Sequence, residues 1–258
     1  MDGRTFLLLT ALFAFAMLAG TTDASYLINN INTTVVLNTN TSASVTEILN
    51  LSISNSSAGQ YTADRAALNF TLSQWQTLIG SSLVEHIVNP KGSIYGFSFI
   101  PGPLISSVNG RIALLELRYY VSNVTTVNQT GPRTFLYQFN NNVFNFEHAE
   151  SGEVLGYNTT LTIIVPSGAR VLSVFPVPDS PAVGFTKNYR GVTTLSWSAD
   201  EPLSEFVLSY TVEESLQAEV LTFFGDVYNY LGGGFVVIII AIAIALFVVY
   251  TYWKVGSK

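Results

Sequence analysis

Residues 43–53 read Ala-Ser-Val-Thr-Glu-Ile-Leu-Asn-Leu-Ser-Ile, and the alternation in this stretch decides the fold class. Val45, Glu47, Leu49, Leu51 and Ile53 share one side of an extended chain, and Thr46, Ile48, Asn50 and Ser52 share the other. Successive side chains of a strand point to opposite faces, so a period of two with one mostly apolar side predicts a half-buried β-strand.

The same reasoning extends outward. Residues 36–38 form a second short strand across an Asn-Thr-Asn-Thr turn. Residues 104–108 and 111–121 flank Asn109-Gly110, a dipeptide that readily supplies the two positive-φ positions of a tight hairpin turn. Further strands are predicted at 134–139, 160–165, 171–177, 192–197 and 205–212, bounded by Pro-Ser-Gly, Pro-Asp-Ser-Pro and Asp-Glu-Pro. Over 72–83 the period changes: Trp75, Leu78 and Ile79 recur at helical spacing behind Thr71, a residue suited to an N-cap. The expected fold is therefore mainly β: an antiparallel β-sandwich over 25–213 with one short helix.

Both ends of the chain depart from this pattern. Arg4, an apolar run over 6–18 and small residues ending at Ala24 follow the layout of a secretory signal, with cleavage expected after Ala24 and a mature start at Ser25. Residues 231–253 carry no charge, and about 20 helical residues suffice to cross the ~30 Å hydrocarbon layer. Tyr228 and Tyr230 lie on one side of this run, with Tyr250, Tyr252 and Trp253 on the other, where aromatic rings favour the two interfaces. Lys254 and Lys258 follow it, whereas Glu213, Glu214, Glu219 and Asp226 precede it, so the expected topology is single-pass with the C-terminus cytoplasmic. Membrane lipid is thus an expected partner. Residues 214–230 form an amphipathic membrane-proximal segment, with Leu216, Val220, Phe223 and Val227 on one face, and 254–258 a short tail. Gly232-Gly233-Gly234 reads either as a hinge or, extended by Ala241 and Ala245, as a helix contact.

Composition agrees. Only 11% of residues are charged against 48% hydrophobic, and the net charge of −6 gives no reason to expect a nucleic-acid partner. Without cysteine there is no disulfide or thiolate metal site. Asn32, Asn40, Asn50, Asn55, Asn69, Asn123, Asn128 and Asn158 each begin an Asn-x-Ser/Thr acceptor for glycosylation. Serine and threonine supply 50 of 258 residues, so the 19 asparagines would yield only about four acceptors by chance. All eight precede the apolar run, on the side that the flanking charges place outside.

A catalytic constellation is harder to find. His86 and His148 lack ligand spacing, and His148, between Glu147 and Glu150, reads as a solvated turn. There is no Gly-x-Ser-x-Gly elbow, phosphate loop or dinucleotide fingerprint. Glu201 with Glu205, and Glu213 with Glu214, would act as acid and base only if a pocket separated their pKa values. Over 137–156, Tyr137, Phe139, Phe144 and Phe146 among asparagines suggest either sugar stacking or, on the stronger reading, strand core and turn. Neither enzymatic activity, a cofactor nor a metal is expected.

The order of elements carries a resemblance. An aromatic-Asn turn, Thr162-Ile163-Ile164-Val165-Pro166, the Val-Phe-Pro-Val-Pro-Asp run over 174–179, the strand of Trp197, and Phe206 to Tyr210 resemble uncharacterised archaeal membrane-anchored ectodomains over residues 32–213. The resemblance implies an extracytoplasmic β-sandwich without known enzymatic activity. A fainter similarity is to ribophorin-like lumenal domains. The expected role is structural or interactive at the cell surface, with envelope glycans, surface-layer proteins or membrane proteins as partners. The alternative is a non-catalytic accessory subunit of a membrane complex that docks through its span.

Residues 25–228 expressed behind a signal peptide should be secreted, folded and glycosylated, because the alternating apolar positions can bury within their own sheets. Retention in the membrane, or secretion of material with no protease-resistant core, would contradict this.

Overall fold

The computed structural model describes residues 26–67, 71–80, 83–107, 110–150, 152–181, 189, 191–231 and 233–256. The expected signal segment, Asn69 and Asn109 of the hairpin turn lie outside the described residues.

The stretch at 43–53 is a strand throughout. Named in chain order, the elements begin with β1 (Tyr26–Leu37), β2 (Ala43–Ile53), α1 (Ala58–Ala66) and α2 (Leu72–Ile79). Next come β3 (Ile94–Pro101), β4 (Ile105–Ser107), β5 (Gly110–Val121), β6 (Thr125–Gln129) and β7 (Thr134–Phe139), then a 3₁₀ turn, Asn141–Val143. β8 (Glu147–Ala149), β9 (Gly152–Val154), β10 (Thr159–Ile164), β11 (Arg170–Phe175), β12 (Thr194–Trp197) and β13 (Val207–Glu213) follow, and α3 (Leu216–Leu231) and α4 (Gly233–Gly256) end the chain. The protein is mainly β.

Strand β2 lies between β1 and β5 in a large sheet ordered β12-β10-β1-β2-β5-β3, with β4 also on β5. A second sheet runs β11-β13-β7-β6, and β8 pairs with β9 as a separate ribbon. The pairings are antiparallel except β1 with β10, which run parallel with Thr33 opposite Leu161. The expected antiparallel pairing thus holds among the described strands except at this one neighbour. Alternation reports which residues face inward and carries no sign of strand direction, so an exception of this kind is invisible to it.

Two further departures have local causes. Among the described residues before β13 there are two short helices rather than one: α1 has a single large apolar residue, Tyr61, and so no periodic stripe to read. Helix α2 starts as expected at Thr71, whose hydroxyl accepts from Gln74 N while Gln74 Oε1 accepts from Thr71 N at 2.7 Å. It stops at Ile79, four residues before the expected end, because Gly80 turns at φ +105°. Strand β3 escaped notice because Gly96, at φ +63°, interrupts its period where the register with β5 shifts.

Inward residues of both sheets join one hydrophobic core. Leu49, Leu117, Ile163 and Trp197 come from the large sheet, Tyr137, Phe139, Leu208 and Tyr210 from the smaller one, and Tyr61 and Trp75 from the helices. Three of the aromatic tips in this core find partners: Trp197 Nε1 donates to Pro176 O at 3.0 Å, Tyr61 OH to Gly102 O at 2.7 Å and Tyr137 OH to Thr39 O at 2.9 Å. Beyond β13, α3 covers most of the segment read as amphipathic and α4 most of the uncharged run. Among the described residues no helix is long and apolar enough to cross a membrane.

Burial pushes the phenols of Tyr26, Tyr61 and Tyr210 up, that of Tyr61 to about 12. The folded chain therefore holds these protons after the unfolded chain has released them near its ordinary value of about 10. Their stabilising contribution is complete below pH ~10 and is lost as pH rises through the raised values. Denaturant midpoints of the full chain in detergent should fall between pH 10 and 12, and a flat profile across that window would contradict the burial of these hydroxyls.

Candidate functional site

On the apolar side of β2, flanked in register by Thr33 of β1 and Leu117 of β5, sits a fully buried carboxylate, Glu47. An unpaired charge there would be strongly unfavourable, and three donors converge on it. The backbone N–H of His86 donates to Oε1 at 2.8 Å, the Tyr119 hydroxyl donates to the same oxygen, and His86 Nδ1 lies 2.6 Å from Oε2. Tyr119 OH accepts in turn from the backbone N–H of Ile87 at 3.1 Å. Burial, then the neighbouring Glu47 charge, pushes the Tyr119 phenol up, so it keeps its proton and remains a donor.

This arrangement fixes the imidazole. A carboxylate only accepts, so the proton of the 2.6 Å contact belongs to Nδ1, and Nε2 is left to face elsewhere. His86 stacks on Phe146, with ring centroids 5.0 Å apart. Its backbone O accepts from Asn145 N at 2.9 Å, Asn145 Nδ2 donates to Glu85 O at 2.9 Å, and Val88 N donates to Val143 O at 2.7 Å. The 83–89 loop is thereby tied to β2 and β5 on one side and to the 140–146 turn on the other.

His86 forms part of the wall of a cleft of about 220 Å³, with Ile31, Val84, Asn145, Phe146, Glu147, Gly156 and Thr159. Glu147 packs its carboxylate against Gly156, so closely that a Cβ there would fall 2.1 Å from Oε1. The arrangement is that of an oriented imidazole beside a small polar space, able to hold a hydrogen-bonding group at Nε2.

Most residues singled out in the sequence lie elsewhere. Asn32, Asn40, Asn55, Asn123, Asn128 and Asn158 are exposed. Asn40 Oδ1 accepts from the hydroxyl of Ser42 at 2.7 Å, within its own acceptor triplet. Asn50 differs: it is only half exposed, and its Oδ1 is buried without a hydrogen-bond partner. His148 is exposed on β8 opposite Glu153, whose carboxyl is raised by burial against the opposing pull of His148. Glu201 is raised by burial and then by Asp179, while Glu205 is exposed. Tyr137, Phe139, Phe144 and Phe146 are core residues, which leaves none of these rings as a sugar platform. Among the described residues, no group of three or more His, Asp or Glu side chains is placed to hold a metal ion.

Sequence reasoning placed Glu47 only as one position of an alternating strand, set His86 aside for want of ligand spacing, and passed over Tyr119. The available signal was an acid on the otherwise apolar side of an alternating strand. Comparison with known proteins gives no match to a family model and none among curated proteins.

Removing one member of this network strands the others. Tyr119→Phe leaves the Ile87 N–H without its acceptor and should cost about 1–3 kcal/mol. Glu47→Ala leaves three donors unmet and should cost about 3–5 kcal/mol. Denaturant titration of the full chain reads both, and a Glu47→Ala loss no larger than that of an exposed substitution would remove the carboxylate from its assigned role.

Proposed function

We propose that this is a single-pass, membrane-anchored cell-envelope protein whose glycosylated ectodomain, a β-sandwich, acts through contact with other envelope components rather than through catalysis. The observation that carries this reading is the outer face of the large sheet around β3, β4 and β5. Tyr95, Ile100, Ile105, Leu114 and Tyr120 are all at least 40% exposed there. Tyr95 stacks on Tyr120 at 5.4 Å, and Ile48, Ile100, Pro103, Ile105 and Leu114 line a shallow apolar groove. Contiguous exposed apolar surface of this kind marks interaction sites.

The sandwich rests on the inward faces of two sheets joining one core. The anchor rests on the uncharged run at 231–253 and the lysines beyond it. Helix α4 has 24 residues, about 36 Å at ~1.5 Å each, against ~30 Å of hydrocarbon. Exposed acceptor asparagines fit an external, glycosylated domain. The second reading, an accessory subunit docking through its span, is favoured by Ala241 and Ala245, four apart in α4.

The test is a charge placed on the apolar face. Leu114→Glu with Ile105→Lys should abolish retention by envelope material, or co-purification of a membrane partner after native extraction. Because both positions are exposed, stability should move by less than about 0.5 kcal/mol. Unchanged retention and co-purification would exclude this face as the contact surface.

A further inference from the structure

The geometry points to the His86 cleft as a binding site for a small primary amine, a ligand that goes beyond the contact role proposed above. His86 is 6% exposed, so its imidazole is withdrawn from bulk solvent, and with Nδ1 committed to Glu47 its Nε2 is the ring nitrogen left for a ligand. Asn145 spends its Nδ2 on Glu85 O, which leaves Oδ1. The Glu147 carboxylate has no hydrogen-bond or ion-pair partner among the described residues. Beside the imidazole, the unmet groups are acceptors: an amide oxygen and a carboxylate.

Charge points the same way. Among the described residues no lysine or arginine lines the cleft, while the Glu147 carboxylate stands in its wall and Glu47 lies behind the imidazole. A ligand that satisfies this set brings several N–H donors and a positive charge, and an alkylammonium supplies three donors from one atom. About 220 Å³ holds roughly seven water-sized groups at ~30 Å³ each, enough for a short amine. Ile31, Val84 and Phe146 provide apolar wall for its carbon chain.

Because the chain has only two histidines, its imidazole nitrogens can be read individually by long-range ¹H–¹⁵N spectroscopy of the full chain in detergent, with His148→Gln giving the assignment. At pH 7, n-butylamine should shift the His86 Nε2 signal to saturation and leave His148 in place. The neutral probe n-butanol should bind at least tenfold more weakly. Glu147→Gln, at an exposed position, should weaken butylamine at least tenfold. Gly156→Ala should act in the same direction with the charge retained, because its Cβ displaces the flexible end of Glu147. Equal responses to amine and alcohol, an unshifted His86 signal, or wild-type affinity in Glu147→Gln would each overturn the assignment.

Discussion

A carboxylate placed in the core of a β-sheet has to be met by donors, and here that requirement organises the elements around it. Glu47 stands on the central strand with apolar neighbours. Its donors come from Tyr119 on β5 and from the loop after α2, which is drawn across the inner face to reach it. The loop then presents His86 to Phe146 and its backbone to the turn after β7. The charge acts together with the Ile87 N–H bond to Tyr119 OH in holding the loop against that face. With it, the connection between helix α2 and strand β3 becomes part of the core, and a cleft opens where the loop meets β8 and the start of β10.

The two faces of the large sheet invert the usual arrangement. Its inner face carries a buried polar network, and part of its outer face carries exposed aromatic and aliphatic side chains. Polar groups inside are tolerated only when satisfied, as Glu47 is, and large apolar groups outside persist when another surface takes them up. Asn50 sits beside Leu114 in register, at the border between the apolar region and the hydroxyl-rich strands β1, β2 and β10. The same sheet thus has a closed side and a side suited to contact.

Much of the architecture was legible in the sequence because it follows from period alone. Strand β7 lies where its alternation predicts, 134–139, and β2 is buried on every second residue along its whole length. Strand β1 begins ten residues before the expected start because Asn29, Asn30 and Asn32 mimic turn composition, and an irregularity between Ile28 and Asn30 accommodates them. The candidate site was less legible. Glu47 and His86 lie 39 positions apart and belong to different kinds of element, so only the fold brings them together. The cleft is built from loop residues and strand ends, whose placement obeys long-range packing rather than any local repeat.

The parallel pairing of β1 with β10 bears on the order of assembly. Strand β1 fills its place between β2 and β10, with Ile31 opposite Thr159, so the first described strand waits for a partner made after more than half the chain. A hairpin of β1 and β2 can form early, yet its far edge, with unpaired amides and carbonyls, stays open until residues near 159–164 arrive. During synthesis the growing chain is a sheet with a vacant slot, and the C-terminal half is what closes it.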